Sequence, residues 1–90
     1  MASVEFDSGK SEANWRKHGI PLSLAEVIDW SAVWCRPDCR RDYGELREVG
    51  YVPIEGHLYC VVFTQRGDAF RVISLRKANS REVKRYVQQA

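Results

Sequence analysis

The spacing of apolar and polar positions divides the chain into a short strand, a helical stretch, a long strand-rich middle and a closing helix. Val4–Phe6 alternates and predicts a strand; Asp7 or Ser8 then caps a helix running through Ala13-Asn14-Trp15-Arg16-Lys17, and Gly19 stops it ahead of Pro21. Ser23 with Glu26 has the form of a capping box, and Leu24, Val27 and Ile28 fall at i, i+3 and i+4. A second helix is therefore expected from Ser23 to about Trp30, with one buried face. From Ala32 the period becomes two. Strands are expected at Val33–Arg36, closed by Pro37-Asp38, and, after a polar loop reaching Gly44, at Glu45–Val52, Leu58–Arg66 and Ala69–Arg76. Gly67-Asp68 is a hairpin signal, and residues 53–57 suit another antiparallel turn. Asn79 and Glu82 form a further capping box, opening a helix whose Val83, Tyr86 and Val87 are spaced to pack on the sheet. The order βααββββα predicts an α+β fold: a small antiparallel β-sheet meander, covered on one side, with two N-terminal helices and one C-terminal helix.

Composition narrows the class without altering that picture. Ninety residues, 44% hydrophobic and 29% charged, suit one globular domain over residues 1–90. The longest apolar run, Tyr59–Phe63, is far short of the ~20 residues that a membrane helix needs. Met1–Asp7 has no basic patch leading into an apolar stretch, so no secretory signal is expected and the cytoplasm is the expected location. The cysteines, Cys35, Cys39 and Cys60, are odd in number and form no disulfide framework. Cys35 and Cys39 resemble half a zinc site, but Cys60, His18 and His57 complete it at unsuitable spacings, so neither a metal nor another cofactor is expected.

Charge adds the first functional hint. The net charge is only +2, yet residues 61–90 carry seven Lys or Arg against two Asp or Glu. Arg66, Arg71, Arg76, Lys77, Arg81, Lys84 and Arg85 suit an anionic partner, and arginine's planar fork suits phosphate. Alternation puts Glu45, Arg47, Val49 and Tyr51 on one strand face, Leu58, Cys60, Val62, Thr64 and Arg66 on the next, and Phe70, Val72, Ser74 and Arg76 on the last. If the three sets share a side, their polar ends form one arginine-rich patch; otherwise they are ordinary strand ends. Such a patch has a chemical use, since cutting RNA without a metal requires a base for the 2′-hydroxyl, fixed cations for the phosphorane and an acid for the leaving oxygen. Glu45, His18, His57, Lys77 and Tyr86 are the candidates for proton transfer, with His18 at a helix C-terminus where the macrodipole raises its pKa.

The chain resembles the BrnT family of type II toxins. The likeness rests on Phe6-Asp7, Lys10, Asn14-Trp15-Arg16-Lys17-His18-Gly19-Ile20, Ala25 and Val27. It continues through Gly44-Glu45-Leu46-Arg47, Gly50, Val61-Val62-Phe63-Thr64-Gln65-Arg66-Gly67, Arg71-Val72-Ile73-Ser74-Leu75-Arg76-Lys77-Ala78, Glu82 and Tyr86. The resemblance implies a ribonuclease toxin of RelE-like fold that stops translation by cutting RNA, mRNA foremost. It also implies a cognate antitoxin, a dimer-forming DNA-binding protein, through which alone the complex reaches operator DNA. The family's basic and polar motif positions fall on Lys17, His18, Glu45, Arg47, Arg66, Arg71, Arg76, Glu82 and Tyr86. On this reading Arg66 and Arg76 bind the scissile phosphate with Arg47 beside them, and Glu45 or His18 is the base. Lys17, Arg71, Lys77, Arg81, Lys84, Arg85 and Tyr86 bind RNA, while Glu82 and Tyr86 position Arg76 or shape the groove. Departures at Pro21-Leu22-Ser23-Leu24 and at Ser74-Leu75-Arg76 bear on packing more than on chemistry. The reading from a different class is a non-catalytic nucleic-acid or partner-binding module.

Overall fold

A computed structural model describes residues 3–38 and 44–89. Five strands, β1 (Ser3–Glu5), β2 (Trp34–Pro37), β3 (Glu48–Ile54), β4 (His57–Arg66) and β5 (Ala69–Lys77), form one sheet in the order β1-β5-β4-β3-β2. The helices α1 (Ser8–His18) and α2 (Ser80–Gln89) follow β1 and β5 respectively. The α+β class and the meander from β2 to β5 agree with the pattern of alternation. The sheet is mixed, however, rather than wholly antiparallel: β1 pairs in parallel with β5, Val4 opposite Phe70. Strand and partner lie at opposite ends of the chain, so no turn signal announces their pairing.

Residues 22–32 depart furthest from expectation. Instead of an α-helix with Ser23 as its cap, the chain forms two 3₁₀ segments, Leu22–Val27 and Trp30–Ala32, the first entered from Pro21 without a side-chain cap. The buried residues are Leu22, Ala25 and Ile28, spaced by three as a 3₁₀ helix spaces its rows, whereas Val27 is exposed. The Leu22 N–H bonds to the Ser11 hydroxyl at 3.0 Å, fastening the segment to α1.

These segments cover one face of the sheet. Leu22, Ala25 and Ile28 pack with Val52, Ile54, Tyr59, Val61, Phe63, Val72 and Leu75 in a single core. Trp30 closes one side, stacked on Phe70 at 4.1 Å and edge-on to Phe63 at 5.0 Å. Helix α1 contributes a polar group instead: its one fully buried residue is Asn14. Asn14 Nδ2 donates to the carbonyls of Ile20 and Leu75, both at 2.7 Å, and its Oδ1 accepts from the Leu75 N–H at 3.1 Å. Asp7 caps α1 by accepting from the Lys10 N–H, and Gly19, at φ 72°, ends it in the left-handed region that glycine tolerates.

Two local features set the register of the other face. The β3–β4 hairpin turns on Glu55 and Gly56, at φ 49° and 83°, the double positive φ of a tight primed turn. It lengthens β3 through Pro53, which is tolerated because β2 reaches only to Tyr51 and leaves that stretch at an edge. Between β4 and β5 the pairing changes from Val62 opposite Ser74 to Phe63 opposite Val72. Ile73 is the extra residue of a bulge, and it reverses the facing of β5. Phe70 and Val72 therefore join the core, while Ser74 and Arg76 face the opposite side with Val62 and Cys60. The single face expected for Phe70, Val72, Ser74 and Arg76 does not exist.

Helix α2 does not bury its apolar stripe as expected. None of its described residues is fully buried, Val83 is 38% exposed and Val87 63% exposed.

Replacing Asn14 by Leu removes three hydrogen bonds and strands buried backbone groups at Leu75 and Ile20. At ~1–3 kcal/mol for each unsatisfied group, partly relieved by water, the net loss is about 3 kcal/mol. Thermal denaturation should show Tm lower by about 15 °C; a fall of under about 4 °C would show that α1 is held by other means.

Candidate functional site

The face of the sheet opposite the core bears a cavity of about 640 Å³. Its floor is Val49 and Tyr51 of β3, Cys60 and Val62 of β4, and Ser74 and Arg76 of β5. Lys17 and His18 reach it from the end of α1, Arg36, Pro37 and Asp38 from β2, and Glu82 from α2. The sites on α1 and β5 are brought together by the Asn14 bonds to Leu75, which lies between Ser74 and Arg76.

One ion-pair network organises this wall. Arg76 Nη1 and Nη2 donate to Glu82 Oε1 and Oε2 at 2.7 and 2.9 Å, a bidentate pair, and the Tyr51 hydroxyl donates to Glu82 Oε2 at 2.8 Å. The Asn79 N–H donates to Glu82 Oε1 at 2.9 Å while the Glu82 N–H donates to Asn79 Oδ1 at 2.8 Å, completing the capping box read from the sequence. Glu82 thus starts α2 and orients Arg76 with the same carboxylate. Chiefly through Arg76, its pKa is lowered to about 2. Burial, reinforced by the bond to Glu82, pushes the Tyr51 phenol up to about 12, and Glu82 raises the pKa of Arg76.

His18 is shifted the other way from expectation. Burial first, then the charges of Lys17 and Arg76, lower its pKa from 6.5. The helix end itself supplies only a partial charge to set against burial and two full charges. The lowered pKa favours the neutral imidazole, the form that can accept a proton. Among the described residues neither Lys17 nor Arg36 has an ion-pair partner.

The remaining candidates lie elsewhere. Glu45 is 3.8 Å from Arg47 Nε and 3.5 Å from Arg66 Nη2, and nearby Thr64 donates to the Leu46 carbonyl at 2.7 Å. This acidic and basic cluster does not line the cavity. Arg66 pairs opposite Ala69 and Arg76 opposite Cys60, so about 20 Å of strand separates them. Arg66 and Arg76 therefore do not converge on one phosphate as expected, and Arg47 pairs with Glu45 outside the lining of the cavity. Arg71 is opposite Thr64, nearer the Glu45 cluster. Arg81, Lys84 and Arg85 project from α2 and are exposed, lining neither cavity, whereas Lys77, His57 and Tyr86 line a second one. Cys39 lies outside the described residues, and among the described residues no cluster of three His, Cys, Asp or Glu side chains could hold a metal ion. Among the described residues no helix is long and apolar enough to cross a membrane.

Sequence reasoning did not single out Tyr51, Arg36 or Asp38. Alternation had placed Tyr51 on the correct face, but its importance depends on the carboxylate that α2 brings to it.

A folded-state pKa of about 2 against an ordinary 4.5 means that Glu82 contributes stability above pH 4.5, lost as the pH falls toward 2. With Arg76 one-third exposed, solvent screening holds that contribution to about 1–2 kcal/mol. Urea denaturation across this window should show the loss in the native chain and a flatter profile in Glu82→Gln.

A family model described as the ribonuclease toxin BrnT of type II toxin-antitoxin systems matches residues 6–82, while no curated protein matches the chain. A match over most of the length, spanning α1, strands β2 to β5 and Glu82, shows that the chain belongs to the BrnT family of type II toxin-antitoxin ribonuclease toxins.

Proposed function

We propose that the chain is an endoribonuclease that cuts RNA without a metal and so halts translation in the cytoplasm until a cognate, DNA-binding antitoxin neutralises it. The observation that carries this reading is the Arg76 guanidinium, fixed by Glu82 and Tyr51 in the wall of a cavity that also holds His18, Lys17 and Arg36.

The chemistry follows from what these groups can do. Neutral His18 accepts the proton of a 2′-hydroxyl; the 2′-oxygen attacks the adjacent phosphorus; the 5′-oxygen departs and takes up a proton. The products are a 2′,3′-cyclic phosphate and a 5′-hydroxyl. Arg76 presents preorganised N–H donors to the phosphorane oxygens, and its pairing with Glu82 trades charge for orientation. Lys17 and Arg36 supply the unneutralised positive charge that the extra phosphorane charge requires. Arg66 lies too far along the sheet to share that phosphate, and with Arg47, Arg71 and Glu45 it contacts flanking nucleotides instead. Exposed Arg81, Lys84 and Arg85 add a diffuse attraction for RNA.

RNA incubated with the purified protein in EDTA should be cut to ends bearing 2′,3′-cyclic phosphate; intact RNA would favour the non-catalytic binding module. Loss of one charge-assisted phosphate contact costs ~1.5–3 kcal/mol, so Arg76→Ala should cut roughly ten- to 150-fold more slowly. Arg66→Ala should lose less, and an equal or greater loss would move the scissile phosphate to the Glu45 cluster.

The pH profile distinguishes the two candidate bases. With His18 as base, the rate rises with pH through a value below 6.5, in keeping with the lowered pKa, and His18→Gln removes that limb. Persistence of the limb in His18→Gln and its loss in Glu45→Gln would transfer the role to Glu45.

A further inference from the structure

The face that carries the candidate site also carries a second cavity, of about 430 Å³, between α2 and the β3–β4 hairpin. Pro53, Leu58, Ala78, Val83, Tyr86 and Val87 give it apolar walls, and His57 and Lys77 are its polar members; among the described residues no acidic one lines it. Along the sheet, Pro53 follows Tyr51, Leu58 precedes Cys60, and Ala78 follows Arg76. The Tyr51–Glu82–Arg76 network is therefore the partition between the two cavities, and α2 forms a wall of both. Tyr86 leans on Trp34, with ring centroids 6.4 Å apart, and Trp34 on Tyr51 at 5.9 Å.

Within this arrangement Val83 and Val87 are unaccounted for. They point the apolar stripe of an amphipathic helix into a groove whose described residues cover it only in part, Val83 being 38% and Val87 63% exposed. Arg81, Lys84 and Arg85 flank that stripe, and Lys77 stands at the groove. Nucleotides would use the basic flank but gain little from two valines, whereas a polypeptide carrying apolar and acidic side chains would use both.

We propose that this groove is the docking site of the antitoxin, which enters it as an apolar segment flanked by Asp or Glu. The inference rests on the toxin reading above and adds the place at which the partner binds. Apolar side chains of the segment cover Val83, Val87 and Leu58, and its carboxylates face Lys77, Lys84 and Arg85. An occupant seated there lies directly against the partition that holds Arg76, beside the path of an RNA strand leaving the first cavity.

The test uses the full chain with its cognate antitoxin. Val83→Asp/Val87→Asp places carboxylates in an apolar groove opposite an acidic partner, and affinity for the antitoxin should fall roughly 10- to 1,000-fold. RNA cutting by the free toxin should stay near the native rate, and far-ultraviolet circular dichroism should show α2 intact. Amide hydrogen exchange on the unaltered chain gives a second measurement independent of any variant. Antitoxin binding should protect residues 54–58 and 83–87, and protection confined to other elements would overturn the proposal. Unchanged antitoxin affinity in a folded double variant would also overturn it, as would a loss of RNA binding with antitoxin affinity intact, which would make the groove an RNA subsite. If the native chain cuts no RNA while the double variant still loses the antitoxin, the docking site stands and the ribonuclease reading fails.

Discussion

The structure depends on how β5 satisfies its outer edge. β1 covers β5 only from Ala69 to Arg71, so further along the backbone N–H and C=O of Leu75 would face a buried gap, at a cost of about 1–3 kcal/mol each. The Asn14 carboxamide fills it, accepting from one group and donating to the other, and its second N–H takes the Ile20 carbonyl. A helix with almost no apolar face is thereby fixed to the sheet. From Asn14 one further turn of helix ends at Lys17 and His18, and the left-handed Gly19 turns the chain back to the core. The proximity of His18 to Arg76 is a consequence of this amide clamp.

The second organising group is the Glu82 carboxylate. It satisfies an orphan N–H at the start of α2, accepts both donors of the Arg76 fork and takes the Tyr51 proton. Since α2 buries none of its described side chains fully, these polar bonds and the Tyr86–Trp34 contact hold it where apolar packing does not. The arrangement combines a fixed arginine with a lightly anchored helix, and leaves apolar surface exposed beside the candidate site. Membership of a toxin-antitoxin family is the reason an antitoxin is the occupant proposed for that surface.

Much of the fold was legible because its signals are local. Asp7, Gly19, the Asn79–Glu82 box and Gly67-Asp68 each act within a few residues, and each does in space what its spacing implies. The strands from β2 to β5 announced themselves by alternation, although β3 begins only at Glu48, so that Glu45 and Arg47, expected on its face, precede it. The errors arose where a local pattern fitted two geometries. Residues 22–28 satisfy an i, i+3, i+4 rule through Leu24, Val27 and Ile28, and a three-residue rule through Leu22, Ala25 and Ile28; docking on the sheet selected the latter.

By itself the sequence determined the α+β class, the order of the elements, the family and the inventory of reactive groups, all of which are carried by residue type and short spacing. Tertiary structure decided which of those groups meet. One inserted residue, Ile73, turns Ser74 and Arg76 away from Phe70 and Val72, and strand length separates Arg66 from Arg76 by about 20 Å. A pairing 61 residues apart, Asn14 with Leu75, brings His18 to the cavity. There burial and neighbouring cations reverse the pKa shift that its helix end alone would impose. Electrostatics and convergence depend on distances through space, and those distances are set only when the sheet register, the bulge and the amide clamp are all in place.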